Sequence, residues 1–188
     1  MRKLILQEHV TIDNFAADLN GGMDFQEKYS AKKDESFIKD AEAFLDTVNT
    51  MLVGATTYNF FTEYLPESKE QADSFTDKIG SLSKYVVSTE LKEAPWGGWE
   101  SATIIKDNVF DEITTLKQQS GKDIVIWGSM TLAHSLMKEG LIDEVQLRVI
   151  PTTLGKGKPV FDHAYDMEFL DAKTYNKGLV LLRYKLDS

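Results

Sequence analysis

The feature that most constrains the fold is a buried strand, a glycine turn, a helix and a second strand in immediate succession. Ile124-Val125-Ile126 is a short β-branched run, typical of a strand buried on both faces of a parallel sheet. Trp127-Gly128-Ser129 predicts a tight turn, Thr131 to Glu139 has helical periodicity, and Glu144 to Ile150 predicts another strand. This order predicts a right-handed βαβ unit, and therefore an α/β fold.

The composition predicts one domain, residues 1–188, because 188 residues with 42% hydrophobic content can bury a core. A formal net charge of −9 opposes binding to nucleic acids and to anionic membranes. The chain has no cysteine, which excludes disulfides and thiolate nucleophiles and favours the cytoplasm. Near the start, Leu4-Ile5-Leu6 is too short an apolar run for a signal peptide or a membrane span.

Two other catalytic classes receive no support. His9, His134 and His163 do not stand at metal-ligand spacing from one another, so no metal site is predicted. No Gly-x-Ser-x-Gly motif marks a nucleophile for a Ser–His–Asp hydrolase.

The remaining elements extend the same pattern. Asn176-Lys177-Gly178 predicts a turn between two final strands, which would close the sheet as an antiparallel hairpin. Apolar periodicity predicts further strands and helices. The strands are Lys3–Val10, Thr50–Val53, Lys84–Ser88, Thr103–Ile105, Glu168–Tyr175 and Leu179–Leu186, and the helices are Asp34–Val48 and Asp107–Gln119.

The joint order of many small motifs resembles the dihydrofolate-reductase-like family, in the branch related to the C-terminal reductase domain of bacterial riboflavin biosynthesis. The matching residues are Gly128-Ser129, Leu132, Leu136, Gly140-Leu141-Ile142-Asp143-Glu144, Pro151, Leu154-Gly155, Gly157, Pro159 and Phe161. The resemblance implies a three-layer fold with a mostly parallel central sheet and a C-terminal antiparallel hairpin. It also implies a homodimer, in contact through the strand Glu144–Ile150 and the final hairpin.

The resemblance implies NADPH as cofactor, with NADH as the alternative. Thr11-Ile12-Asp13-Asn14 matches a turn that frames the nicotinamide in relatives, with Asn14 tolerating a left-handed backbone. Residues implied to bind the cofactor are His9, Ala16, Gly54, Thr57, Ser88, Thr89, Trp127, Gly128, Ser129, Met130 and Thr131.

Two positions depart from the family pattern. Ala55 and Glu90 stand where relatives carry arginines that contact cofactor phosphates. Glu90 would accept from a free 2′-hydroxyl and favour NADH, whereas Lys106 would replace a missing cation. At Trp127-Gly128 the family pattern predicts a cis peptide bond.

Asp40, one turn before Phe44 on the first long helix, matches the carboxylate that binds the pterin in many relatives. It is the candidate catalytic residue, and a solvated helix face is the alternative. The implied reaction is hydride transfer to a pterin or to the aminouracil precursor of riboflavin, after a separate deaminase has acted. A dimeric, non-catalytic small-molecule-binding protein on the same fold is the alternative function.

Overall fold

The computed structural model describes residues 1–28, 34–64 and 69–187 of the chain. The strands are β1 (Leu4–Thr11), β2 (Phe15–Ala17), β3 (Val48–Gly54), β4 (Ser83–Val87), β5 (Thr103–Ile105), β6 (Asp123–Ile126), β7 (Glu144–Ile150), β8 (Lys158–Pro159), β9 (Met167–Thr174) and β10 (Val180–Leu186). The α-helices are α1 (Phe25–Lys28), α2 (Glu35–Thr47), α3 (Ala55–Tyr64), α4 (Ser74–Gly80), α5 (Val109–Gln118) and α6 (Met130–Lys138). Short 3-10 turns cover Lys69–Gln71 and Asn176–Gly178.

Eight strands form one sheet in the order β5-β4-β3-β6-β1-β7-β10-β9. β1 pairs in parallel with both β6 and β7, so the crossover through α6 passes over β1. β10 pairs antiparallel with β7 and with β9, which confirms the predicted hairpin and the mostly parallel sheet. The predicted strands and helices are all present, with bounds that differ by at most two residues.

The sheet is the middle of three layers, as the sequence predicts. The apolar side chains of β1 and β6 point in turn to one face of the sheet and then to the other, because successive side chains of a strand lie on opposite sides. One face packs against α5 and α6 in a core that includes Leu6, Ile126, Ile113 and Leu136. The other face packs against α2, α3 and nearby loops, with Val53, Leu45, Tyr58 and Trp96 among its buried residues.

α2 is fixed at its start by a carboxylate that also reaches the hairpin. Asp34 caps α2 by accepting hydrogen bonds from the N–H groups of Ser36 at 3.0 Å and Phe37 at 3.3 Å. Its other oxygen accepts from the N–H of Asn176 at 2.7 Å, in the turn between β9 and β10. The start of α2 and the hairpin turn are therefore held together.

A small second sheet, which the sequence analysis missed, closes the first turn. β2 pairs antiparallel with β8. The predicted turn is confirmed by Asn14, whose φ is +68°. Asp13 accepts from the N–H groups of Leu154 at 3.2 Å and Gly155 at 2.7 Å. It is therefore a turn residue that also holds the loop containing Leu154 and Gly155 in place.

Candidate functional site

Two helices begin side by side at the carboxyl edge of the sheet. β3 ends at Gly54, where α3 begins, and β6 is followed by Gly128 and Ser129, where α6 begins. A Cβ built on Gly54 would lie 2.4 Å from the Cβ of Ser129, and one on Gly128 would lie 2.3 Å from Oγ1 of Thr57. The close approach of the two turns therefore requires glycine at both positions.

Thr57 joins these two turns. Its Oγ1 accepts a hydrogen bond from the N–H of Ser129 at 3.0 Å. Ser129 in turn caps α6, since its Oγ accepts from the N–H of Leu132 at 3.4 Å. The sequence-predicted residues Gly54, Thr57, Gly128 and Ser129 are thus in direct contact.

A cleft of about 410 Å³ opens at this junction. We call it the turn cleft. Its walls come from the starts of α3 and α6, the end of β4 and the first turn of α5: Gly54, Ala55, Thr56, Val87, Val109, Phe110, Ser129, Thr131, Leu132 and Ser135. The first N–H groups of a helix have no partner within the helix, and its dipole is positive at that end. Two such ends at one cleft form a binding site suited to anions.

The prediction of a cis bond between Trp127 and Gly128 is wrong, because this peptide bond is trans. The chain reverses here through two consecutive left-handed residues instead, with φ of +61° at Gly128 and +50° at Ser129. A left-handed backbone at Gly128 and Ser129 produces the tight turn that the sequence analysis had attributed to a cis bond between Trp127 and Gly128.

The adenosine-binding corner predicted at Ser88 and Thr89 adjoins the turn cleft. Ser88 follows Val87 of the cleft wall, and its N–H donates to the carbonyl of Ile105 at 3.1 Å. The Ser88 hydroxyl accepts from the N–H groups of Glu90 and Leu91, both at 3.2 Å, so it stabilises a turn. Thr89 is exposed, and Lys106 follows Ile105 at the neighbouring strand end.

Glu8 contacts the turn at Gly128, although the sequence analysis did not single it out. A carboxylate oxygen of Glu8 accepts a hydrogen bond from the N–H of Gly128. Burial raises the pKa of Glu8 to about 7, against the opposing effects of the Gly128 N–H and of Arg148. Glu8 is therefore a carboxyl group that changes charge near neutral pH beside the turn at Gly128.

A second, smaller cavity of about 30 Å³ lies between α2 and the sheet. We call it the Arg148 pocket. Its lining residues come from α2, β1, β7, β10 and the hairpin: Gln7, Phe37, Asp40, Ala41, Phe44, Gln146, Arg148, Tyr175 and Leu181. Asp40 accepts from the hydroxyl of Tyr175 at 2.7 Å and pairs with Lys173 at 2.5 Å. These two partners, Lys173 first, lower the pKa of Asp40.

His9 and Ala16, both predicted to frame the nicotinamide, lie in different surroundings. The His9 ring is 6.5 Å from the ring of Phe37, close to the Arg148 pocket, and burial lowers its pKa to about 3. Ala16 is buried in the core on the α5 and α6 face. Neither residue is among those that line the turn cleft or the Arg148 pocket.

The comparisons with known proteins agree with this geometry. The sequence model of the RibD C-terminal domain matches residues 2–181. The chain belongs to the RibD C-terminal domain family. The uncharacterized protein YyaP of Bacillus subtilis (strain 168) is 30% identical over 191 residues, which cover 97% of this chain and 94% of that protein.

Solved structures share the fold of this RibD C-terminal domain. A Shewanella sp. PV-4 protein assigned provisionally to riboflavin biosynthesis has a TM-score of 0.76 and 21% identity, with 99% of each chain covered. A Thermotoga maritima deaminase/5-amino-6-(5-phosphoribosylamino)uracil reductase has a TM-score of 0.64 and 14% identity, covering 99% of this chain and 57% of that one. Enterococcus faecalis dihydrofolate reductase has a TM-score of 0.55 and 11% identity, covering 99% and 97%.

The family and fold predictions are therefore confirmed, and the RibD C-terminal family supports a reductase-like function. None of the described helices has the length and apolar character needed to cross a membrane. The sequence analysis missed two residues of this RibD C-terminal domain, Glu8 and Arg148. A weak signal existed for both, since each is a charged residue within a strand next to apolar residues.

Proposed function

We propose that this RibD C-terminal domain is an NAD(P)H-dependent reductase of a small heterocycle. One observation carries the proposal: the starts of α3 and α6 converge, through Gly54, Thr57, Gly128 and Ser129, on one cleft of about 410 Å³. Dinucleotide phosphates bind at helix N-termini where glycine lets the backbone approach closely. The volume of the turn cleft also falls within the range of small-ligand sites, about 300–1,000 Å³.

The residues of the turn cleft fit a dinucleotide. Met130 and Thr131 present the first N–H groups of α6, while Ala55 and Thr56 present those of α3, and these would hold the phosphates. Lys106, next to the Ser88 corner, supplies a cation where the family's arginine is missing, which favours NADPH over NADH. When bound, the cofactor supplies the hydride, and the chain supplies orientation and exclusion of water.

The substrate in this proposal is a pterin or 5-amino-6-(5-phosphoribosylamino)uracil. Asp40 remains the candidate substrate-binding carboxylate, because it lines the Arg148 pocket together with Phe37 and Phe44. Its bond from Tyr175 and its ion pair with Lys173 keep it ionised. An ionised carboxylate suits recognition of the N–H groups of a heterocycle rather than donation of a proton.

A fluorescence titration with NADPH and NADH tests the proposal, followed by measurement of cofactor oxidation with each candidate substrate. We expect NADPH to bind at micromolar concentration and to be oxidised by one of the two heterocycles. The Thr57→Val variant, which keeps the shape of the side chain but lacks the oxygen that accepts from Ser129, serves as the matched control. If neither nucleotide binds at millimolar concentration, the proposal is wrong.

A second candidate function is a non-catalytic binding protein on the same fold. Three observations favour it. Ala55 and Glu90 replace expected arginines, and the N–H of Gly128 already donates a hydrogen bond to Glu8. The Arg148 pocket, as it stands, is also too small for a ring. Tight nucleotide binding without oxidation by either heterocycle would support this candidate.

We also propose that the chain forms a cytoplasmic homodimer through the β9–β10 hairpin. β7 pairs with β1 on one side and with β10 on the other, so it has no free edge for a second chain. Of the two elements predicted to form the dimer contact, the hairpin therefore remains. β9 is the edge strand, and Phe169 and Leu170 on it are 60% and 41% exposed. Light scattering after size exclusion tests this, with Phe169→Asp expected to give a monomer.

A further inference from the structure

The chain has three arginines, and they differ in their partners. Arg2 donates to the carbonyl of Lys122 at 2.5 Å and to the side chain of Asn49 at 2.6 Å. Arg183 forms an ion pair with Glu144 at 2.8 Å. Among the described residues, no carboxylate and no carbonyl lies within hydrogen-bonding distance of the guanidinium of Arg148, whose carbon lies 5.0 Å from the Phe37 ring centroid.

Arg148 is partly buried, with its guanidinium against the Phe37 ring. It lies in β7, opposite His9 of β1 and Leu181 of β10. Burial lowers its pKa to about 10, so it is still a cation at neutral pH. A partly buried cation with no acceptor among the described residues has lost some of its hydration, so an anionic ligand that reached it would gain charge-assisted hydrogen bonds.

The other polar groups of the Arg148 pocket are already satisfied. The amide of Gln7 donates to Gln146 at 2.8 Å and accepts from the Trp127 indole at 3.0 Å, and the Gln146 amide donates to Glu144 at 2.9 Å. Asp40 is paired with Lys173 and bound by Tyr175. The guanidinium of Arg148 is therefore the group in this pocket, among the described residues, that lacks an acceptor.

The shape and charge of the Arg148 pocket restrict the ligand. Its volume of about 30 Å³ corresponds to one water molecule, so the pocket in this form admits one small polar group and not a ring. Arginine binds a planar carboxylate with two parallel hydrogen bonds. A dianionic phosphate would be bulkier and would meet stronger repulsion from the nearby carboxylates of Asp40 and Glu8.

We propose that Arg148 is a binding site for the carboxylate of an organic acid, which enters the pocket between α2 and β7 with Phe37 against the guanidinium. That this acid is the reductase's substrate rests on the proposed function, and the carboxylate site itself does not. Of the two candidate substrates, this would favour a pterin that carries a carboxyl group, held by Arg148 at that end, over the phosphorylated aminouracil.

The test uses the full chain and the nitrogen-15 NMR signals of its three arginine Nε–H groups. The probes are benzoate, its neutral analogue benzamide, and inorganic phosphate, at low ionic strength and neutral pH. We expect benzoate to shift the Arg148 signal saturably, and benzamide and phosphate to bind at least about tenfold more weakly. The signal is assigned by its loss in Arg148→Gln.

Two further variants keep the outcome clear. Lys185→Gln removes the same charge from an exposed site on β10 and should leave benzoate binding unchanged. Arg148→Met should melt no lower than wild type in buffer without carboxylate, because it removes a partly buried charge that has no acceptor among the described residues, whereas a structural arginine would lower the melting temperature.

The proposal is overturned if the Arg148 signal does not move with benzoate, if benzamide binds equally well, or if phosphate binds more tightly than benzoate. If Arg148→Gln does not fold, the contrast between benzoate and benzamide on the wild-type chain decides. NADPH titration of the same samples separates the two proposals: benzoate binding without NADPH binding would uphold the carboxylate site and contradict the reductase.

Discussion

The turn cleft and the Arg148 pocket are lined by different strands of the same sheet and are built differently. The turn cleft is wide, about 410 Å³, and its recognition groups are backbone N–H groups at two helix starts. The Arg148 pocket is about 30 Å³ and is lined by charged and amide side chains of Arg148, Asp40 and Gln146. One region is thus specified by backbone geometry and the other by side-chain charge.

This difference decides which substitutions each region tolerates. A site made of backbone groups depends on small residues and turn geometry, so an added methyl group is more damaging there than a lost charge. A site made of side chains tolerates shape changes at its rim but depends on each charge having a partner. Variants of the two regions should therefore fail in different ways.

The largest effect is expected at Gly128. Gly128→Ala should lower the free energy of unfolding by roughly 3 kcal/mol and abolish nucleotide binding, because the new Cβ would lie 2.3 Å from the Thr57 hydroxyl at a φ of +61°. Gly155→Ala is the matched control: its φ is +71°, with no atom within 4 Å of the new Cβ, so it should cost about 1 kcal/mol. Equal losses in urea denaturation would show that the contact with Thr57 is unimportant.

The next effect is a pH dependence at Glu8. The folded protein retains a proton on Glu8 up to about pH 7, whereas an unfolded glutamate loses it near 4.5. The wild type should therefore lose stability relative to Glu8→Gln as pH rises from about 4.5 to about 7, by up to about 3 kcal/mol, and nucleotide affinity should fall as Glu8 ionises. Denaturation and NADPH titration across this range measure both, and parallel pH profiles for the two proteins would contradict the assignment.

A smaller effect is expected at Thr57. Thr57→Val removes the acceptor for the Ser129 N–H and should cost about 1–2 kcal/mol of stability and about tenfold in nucleotide affinity. Thr57→Ser keeps the hydroxyl and should retain most of the affinity. A Ser variant as weak as the Val variant would show that packing, rather than the hydrogen bond, supports the turn cleft.

The smallest change in stability is expected at Asp40, in the Arg148 pocket. Asp40→Asn should cost only about 1 kcal/mol, since the ion pair with Lys173 is partly exposed. If Asp40 holds substrate, kcat/KM should fall by tenfold or more in steady-state assays. Asp46→Asn, which breaks the exposed pair with Lys78, is the control and should leave turnover unchanged. Unchanged turnover in Asp40→Asn would remove it from the site.

Local patterns in the sequence were sufficient to predict the fold. The apolar run Ile124–Ile126 and the Asn176–Gly178 turn were recognisable because the residue types of each segment favour the backbone conformation of that same segment. Gly54, Thr57, Gly128 and Ser129 were recognisable for the same reason, as glycine followed by a helix start. The two glycine turns beside the turn cleft were accordingly predictable, whereas its walls from Val87, Val109 and Phe110 were not.

The Arg148 pocket was not predictable in this way, because its members come together only through the sheet order. Arg148, Asp40 and Tyr175 lie far apart in the sequence, on β7, on α2 and after β9. Whether Arg148 has an acceptor depends on which side chains lie next to it on neighbouring strands, and a local sequence pattern cannot predict those neighbours. The trans peptide bond before Gly128 was also missed, because a tight turn of this kind can be made either by a cis peptide bond or by residues with a left-handed backbone.

The position of β1 in the sheet has a consequence for how the chain is assembled. β1 pairs with β6 and β7, which follow it by more than a hundred residues of sequence. A nascent chain that ends before β6 therefore has a central strand with no neighbour on either side, and loop closure over this distance slows folding. Completion of the sheet must await synthesis of β10, and truncations that remove β6 or β7 are expected to accumulate as aggregates rather than as smaller folded units.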